Sequence, residues 1–110
     1  MYLPKTDVYN SLKALPYHVS QSKPAVFTEL PAVTFGVGNN AITTDLDGSI
    51  ASQDIEITLD IWAEDSVTAS TVLSEVEEIM RSNNYIMSFS NDIPNISDVH
   101  HIACRFAKIA

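Results

Sequence analysis

The segment SQDIEITLDIW, residues 52–62, constrains the fold more than any other part of this chain. Its apolar residues Ile55, Ile57, Leu59 and Ile61 alternate with Asp54, Glu56, Thr58 and Asp60. That period of two belongs to a strand with one buried and one solvated face. Such a strand needs an apolar cover, and one follows at once. Asp65 and Ser66 are both good N-cap residues, and behind them Ala69, Val72, Leu73, Val76, Ile79 and Met80 fall at helical spacing, with Glu75, Glu77 and Glu78 off the stripe. The pattern predicts a helix from about Ser66 to Arg81, ending at the Asn83 and Asn84 pair, where a left-handed cap is easily adopted. Ile55, Ile57, Leu59 and Ile61 are expected to pack against Val72, Leu73, Val76 and Ile79, making the strand from Asp54 to Trp62 central to the fold.

The remaining elements are placed around this pair. Pro4 suits the first turn of a helix, Asp7 complements its N-terminal dipole, and Val8, Leu12 and Leu15 share a face, predicting a helix over about Lys5 to Ala14. Pro16, Pro24 and Pro31 then interrupt the pattern, leaving irregular chain or an extended arm with a short strand at Tyr17 to Gln21. Val33, Phe35 and Val37 alternate in a strand over Ala32 to Gly38. Between this strand and the central one, GNNAITTDLDGSIAS is polar and far longer than a tight turn, so residues 39–51 are expected to project as a loop that orders on contact with a neighbour. Tyr85, Met87 and Phe89 alternate in one late strand and Ile102, Cys104 and Phe106 in another, with a loop carrying Pro94 between them. The order predicts an α+β domain: an antiparallel-rich sheet, two helices packed on one face, and a long loop between two central strands.

At 110 residues and 45% hydrophobic composition, the chain fits one domain spanning 1–110, able to bury roughly 65% of its unfolded surface. Three Gly and five Pro exclude a collagen-like or disordered chain. Six basic residues against fourteen acidic ones give a net charge of −8. That balance opposes a surface that grips nucleic acid, since duplex binding depends on cations displacing counterions. The single cysteine, Cys104, cannot form an internal disulfide, so a reducing compartment is the default. The first ten residues lack the pattern of a signal peptide, and no segment approaches the ~20 apolar residues of a membrane span, so no membrane partner is expected.

Residue types that carry chemistry are present, but the spacing assembles no active site, cofactor site or metal site. His100 and His101 are adjacent on a strand and point to opposite faces, so both cannot reach one ion, and His18 is distant. Cys104 shares the face of Ile102 and Phe106, where a thiol behaves as a small hydrophobe and Arg105 points away. Asp54, Glu56 and Asp60, continued by Glu64 and Asp65, lack the loop of a calcium hand, and a solvated sheet face gives the same pattern. GVGNN lacks the third glycine and the following helix of a nucleotide loop.

Three strings in their order carry a resemblance: Pro31-Ala32-Val33-Thr34-Phe35; the polar loop ending in TDLDGSIASQ; and DIEITLDIWAED running straight into SVTASTVLSEVEEIM. From about Lys5 to Lys108 the chain resembles the tail-completion proteins of long-tailed bacteriophages, also called tail terminators or head-to-tail joining proteins. The resemblance implies a non-enzymatic virion protein made in the host cytoplasm, without cofactor. It would form a homo-oligomeric, commonly hexameric ring between the tail tube protein and the head connector, with DNA only as passing cargo. Two sets of candidate residues follow. Asp54, Glu56 and Asp60 are candidates to line the lumen and repel DNA, the alternative being that they only keep the protein soluble. Asn39, Asn40, Ile42, Thr43, Thr44, Asp45, Leu46 and Asp47 form the candidate assembly loop. The competing function is a small ligand-binding or regulatory α+β domain without catalysis, which would show a pocket with convergent polar groups, and behind it a small enzyme with a site drawn from distant positions.

Overall fold

The structure, a computed structural model, describes residues 2–21, 30–93 and 99–109. The expected broken stretch around Pro24 and the loop carrying Pro94 fall in 22–29 and 94–98, outside the described residues. In chain order the elements are α1 (Pro4–Leu12), β1 (His18–Gln21), β2 (Ala32–Thr44), β3 (Ile50–Ala63), α2 (Ser66–Ser82), β4 (Ile86–Ile93) and β5 (His100–Ile109). The strands form one sheet in the order β1-β2-β3-β5-β4. β1 is parallel to β2, and every other pairing is antiparallel. The fold is α+β, with both helices on one face of the sheet, as the alternation of β3 requires. Among the described residues no helix is long and apolar enough to cross a membrane.

The core is built on the predicted register. Ile57 and Ile61 of β3 are fully buried, and Ile55 and Leu59 nearly so, beside Val33 and Phe35 of β2 and Ile102, Cys104 and Phe106 of β5. Over this surface α2 lays Ala69, Val72, Val76 and Met80, with Leu73 and Ile79 half-buried at its flanks, and α1 adds Val8 and Leu12. Each of the larger side chains contributes about 1.5–3 kcal/mol by leaving water.

The ends of α2 have specific causes. Asp65 accepts a hydrogen bond from the Thr68 N–H at 2.7 Å, which holds its carboxyl below the usual range. At the other end Asn84 adopts φ 68°, and the Tyr85 N–H donates to the Met80 carbonyl while the Asn84 N–H donates to that of Arg81. This is a Schellman cap on the expected asparagine pair. α1 stops at Leu12, two residues before the expected Ala14, because Pro16 disfavours helical backbone in the residue ahead of it.

Two expectations are corrected. Residues 39–51 are not a loop: β2 continues through Thr44 and β3 begins at Ile50, with Asn39 paired to Glu56 and Thr43 to Ser52. The loop proper is Leu46-Asp47-Gly48, closed by Asp45 N–H to Ser49 O at 2.9 Å and Gly48 N–H to Asp45 O at 3.1 Å, with Gly48 at φ 87°. A two-stranded ladder satisfies its own backbone, so the polar composition that suggested a loop was no bar to pairing. The second correction is Phe89. A register shift between Met87 and Phe89 breaks the alternation in β4, leaving Tyr85 buried and Phe89 exposed on the opposite face.

Candidate functional site

β3 pairs with β5 only from Asp54 to Ala63, so residues 50–53 are joined to the sheet through β2 alone. The hairpin therefore leaves the core as an arm, and the molecule measures 53 × 26 × 24 Å. Its radius of gyration is 15.0 Å, against about 13 Å for a compact domain of this length. Two surfaces remain available for function, the arm and the sheet face opposite the helices.

The arm is anchored at its root by a polar knot. Gln53, 2% exposed, donates from Nε2 to the Tyr2 carbonyl and to Asn40 Oδ1, and its Oε1 accepts from the Tyr2 N–H at 2.9 Å. The Tyr2 hydroxyl meets Asp7 Oδ2 at 2.6 Å and the Tyr85 hydroxyl at 3.0 Å. Burial, with the bond to Asp7 second, raises the Tyr2 pKa, and burial raises that of Tyr85. Where β2 bends into the arm, a bulge falls between Val37 and Asn39, and Gly38 sits in it close against β3. A Cβ on Gly38 would lie 3.0 Å from Thr58 Cγ2 and 3.3 Å from Glu56 Oε1. Beyond the knot Ile42 and Ile50 are exposed, and Leu46 at the tip has an exposure of 109%.

On the open sheet face the even-numbered residues of β3 meet the odd-numbered residues of β5. Asp54, Glu56 and Asp60 all lie there, as expected, yet their surroundings differ. Asp60 Oδ1 is 2.7 Å from His101 Nε2. The His101 ring stacks on Trp62 with centroids 3.7 Å apart and 14° between planes, and Trp62 Nε1 donates to Thr34 Oγ1 at 3.1 Å. Glu56 lies 4.0 Å from Arg105, whose guanidinium is 5.7 Å from the Phe89 ring centre. Asp54 is exposed. The acidic row is therefore less uniform than its spelling: one carboxylate holds a histidine, one borders an arginine, and one faces solvent.

The other weighed residues are also placed. His100 lies 3.5 Å from Asp92 on the helix side of the sheet, so the two histidines point to opposite faces. Cys104 is buried, and burial pushes its thiol up to about 12, the opposite of what a nucleophile needs. The linked set of Thr34, Trp62, Asp60 and His101 was not foreseen, because it depends on the register of β3 against β5, a pairing 41 residues apart at the Asp60–His101 bond. The Gln53 knot was likewise unseen; a glutamine inside an apolar alternation was its one sequence signal.

No family model matches the chain, and no curated protein matches it. Among solved structures the chain is similar in fold to a chain from one described as the virion of a native gene transfer agent (GTA) particle. The TM-score is 0.73 and the identity 14%, covering 91% of this chain and 88% of that one.

Proposed function

We propose that this protein is a structural component of a phage-like virion, forming a homo-oligomeric ring at the head-proximal end of a tail tube and joining it to the head connector. The observation that carries the reading is the fold shared with a GTA virion chain over nearly the whole length of both. The arm and the open sheet face supply what a ring subunit needs, surfaces not already consumed by the subunit's own core. In this reading the ring is a hexamer, made in the host cytoplasm and incorporated into the virion, and DNA passes through without being held. No catalytic step is assigned to it.

Asp54, Glu56 and Asp60 are proposed to face the channel, where carboxylates repel the duplex within a Debye length of ~8 Å. Because Asp60 is bound to His101 and Glu56 borders Arg105, the charge test belongs to Asp54: in rings that still assemble, Asp54→Lys should slow DNA passage. Ejection at the normal rate would leave Asp54 a role in solubility alone.

The wider reading is tested by deleting the coding sequence in a producing host and imaging the lysate. Filled heads and unattached tails are expected, with joining restored when purified protein is added. Intact particles that lack the protein by mass spectrometry would refute it.

A further inference from the structure

At the end of the sheet where the arm departs lies a concavity of about 570 Å³, lined by Ile86 of β4 and Ala107 and Ile109 of β5, with Asp54 and Glu56 on its β3 side. Ile86 is 74% exposed and Ile109 77%, an unusual outlay of apolar surface on a chain of net charge −8. Phe89, paired with Arg105, extends the same face along β4. Leu46 is the most exposed apolar side chain among the described residues, and it cannot reach this concavity in its own chain. Asp54 and Asn39, at the arm's root, border the concavity, while the tip lies across a paired ribbon of some six residues, about 20 Å away at 3.3 Å per residue.

We infer that Leu46 at the tip of one copy's arm seats in the Ile86/Ala107/Ile109 concavity of a second copy. Charge agrees with the fit. Residues 39–53 hold no Lys or Arg and present Asp45 and Asp47 on either side of Leu46. β5 supplies Arg105 beside the concavity, more than half exposed, whereas the Lys108 ammonium is turned to the helix side, where it donates to the Asn83 carbonyl at 3.0 Å. An arm entering from the β4 side brings its carboxylates to Arg105 and leaves Asp54 and Glu56 on the far rim. The plug and the socket are different patches of one chain, so the contact is head-to-tail, the type that closes into a ring when the rotation between copies permits. The inference rests on the ring part of the function proposed above and gives that ring its contact.

The test mixes two full-length variants, Leu46→Cys and Ile86→Cys, under mild oxidation. Cys104 is buried and does not compete. The expected product is a disulfide between the two different variants. Alongside it, Leu46→Asp should weaken self-association, measured by light scattering over a concentration series, by roughly tenfold or more with an unchanged melting temperature. Disulfides only between identical variants, no disulfide at all, or self-association unaffected by Leu46→Asp would overturn the contact. Virion incorporation separates the two readings. A particle that still carries the protein at its head-tail junction after the contact has failed leaves the ring standing with a different interface. A contact that holds in a protein absent from particles sinks the virion reading alone.

Discussion

The two halves of the β2–β3 hairpin share one backbone ladder and differ in almost everything else. In the half nearest the helices, alternate side chains of β3 from Ile55 to Ala63 and the run Ala32 to Phe35 of β2 are buried, and two helices cover the inward face. In the outer half, from Asn39 to Thr44 and Ile50 to Gln53, Gln53 is the one buried side chain, and the ladder carries exposed threonines, isoleucines and Asn39. Pairing thus sets the shape of both halves, while burial stabilises only one. The outer half contributes little to folding, which leaves its surface free to meet something else.

The sharpest way to break this contrast is to measure how protected each half is. Cys104, buried between β3 and α2, should label only when the domain unfolds, since its thiol is both covered and held up to about 12. A Leu46→Cys residue in the Cys104→Ala background should label at the rate of a free thiol, faster by on the order of 10⁴-fold or more for a domain stable by 5 kcal/mol. Similar rates at the two positions would mean that the arm is packed in the isolated subunit.

Truncation tests the same division in energy. Leu59→Ala or Val76→Ala should cost about 2–4 kcal/mol in denaturant unfolding, because each leaves a cavity in a closed core. Ile42→Ala and Ile50→Ala should stay within about 0.5 kcal/mol, the usual range for exposed sites. A core-sized loss at Ile42 would contradict the division. Between these two classes falls Gly48→Ala. At φ 87° an added Cβ meets no neighbouring atom, so its penalty is backbone strain of roughly 1 kcal/mol. That strain should speed amide exchange at Thr44 and Ile50 while leaving the core amides unchanged.

The difference between the halves also explains what the sequence could disclose. β3 and α2 were legible because burial writes itself into spacing: Ile55, Ile57, Leu59 and Ile61, and then Ala69, Val72, Val76 and Met80, recur at the period of their element. The outer half has no such record, because Asn39, Thr43 and Thr44 pair through backbone atoms that every residue shares, and polar side chains there were read as a loop. Phe89 was misplaced for a related reason, since the register shift after Met87 is a property of two strands together. The residues that could serve function obey the same logic. Asp54, Glu56 and Asp60 could be put on one face from spacing alone, whereas the link from Asp60 to His101 and Trp62 needed the pairing of β3 with β5.

The finest test is electrostatic and lies wholly in the arm. The Ser49 N–H donates to Asp45 Oδ1 and Asp47 Oδ1, each at 3.0 Å, and so reports on the charge of the turn. Asp47 is held down to about 2, first by its hydrogen bond with the Asp45 carboxyl and then by the Ser49 N–H. A carboxyl whose pKa falls on folding lends the turn a contribution that is fully present above the ordinary carboxylate range and lost as pH falls through the lowered value. Acidification to about pH 2 should therefore shift the Ser49 amide resonance and speed exchange at Thr44 and Ile50 through Asp47. In an Asp47→Asn variant the low-pH change should disappear while the core spectrum stays as it was. If Ser49 instead responds at the pH of an unperturbed carboxylate, the turn is not closed by these bonds, and the arm would be too loosely built to carry Leu46 to a neighbouring copy in one fixed orientation.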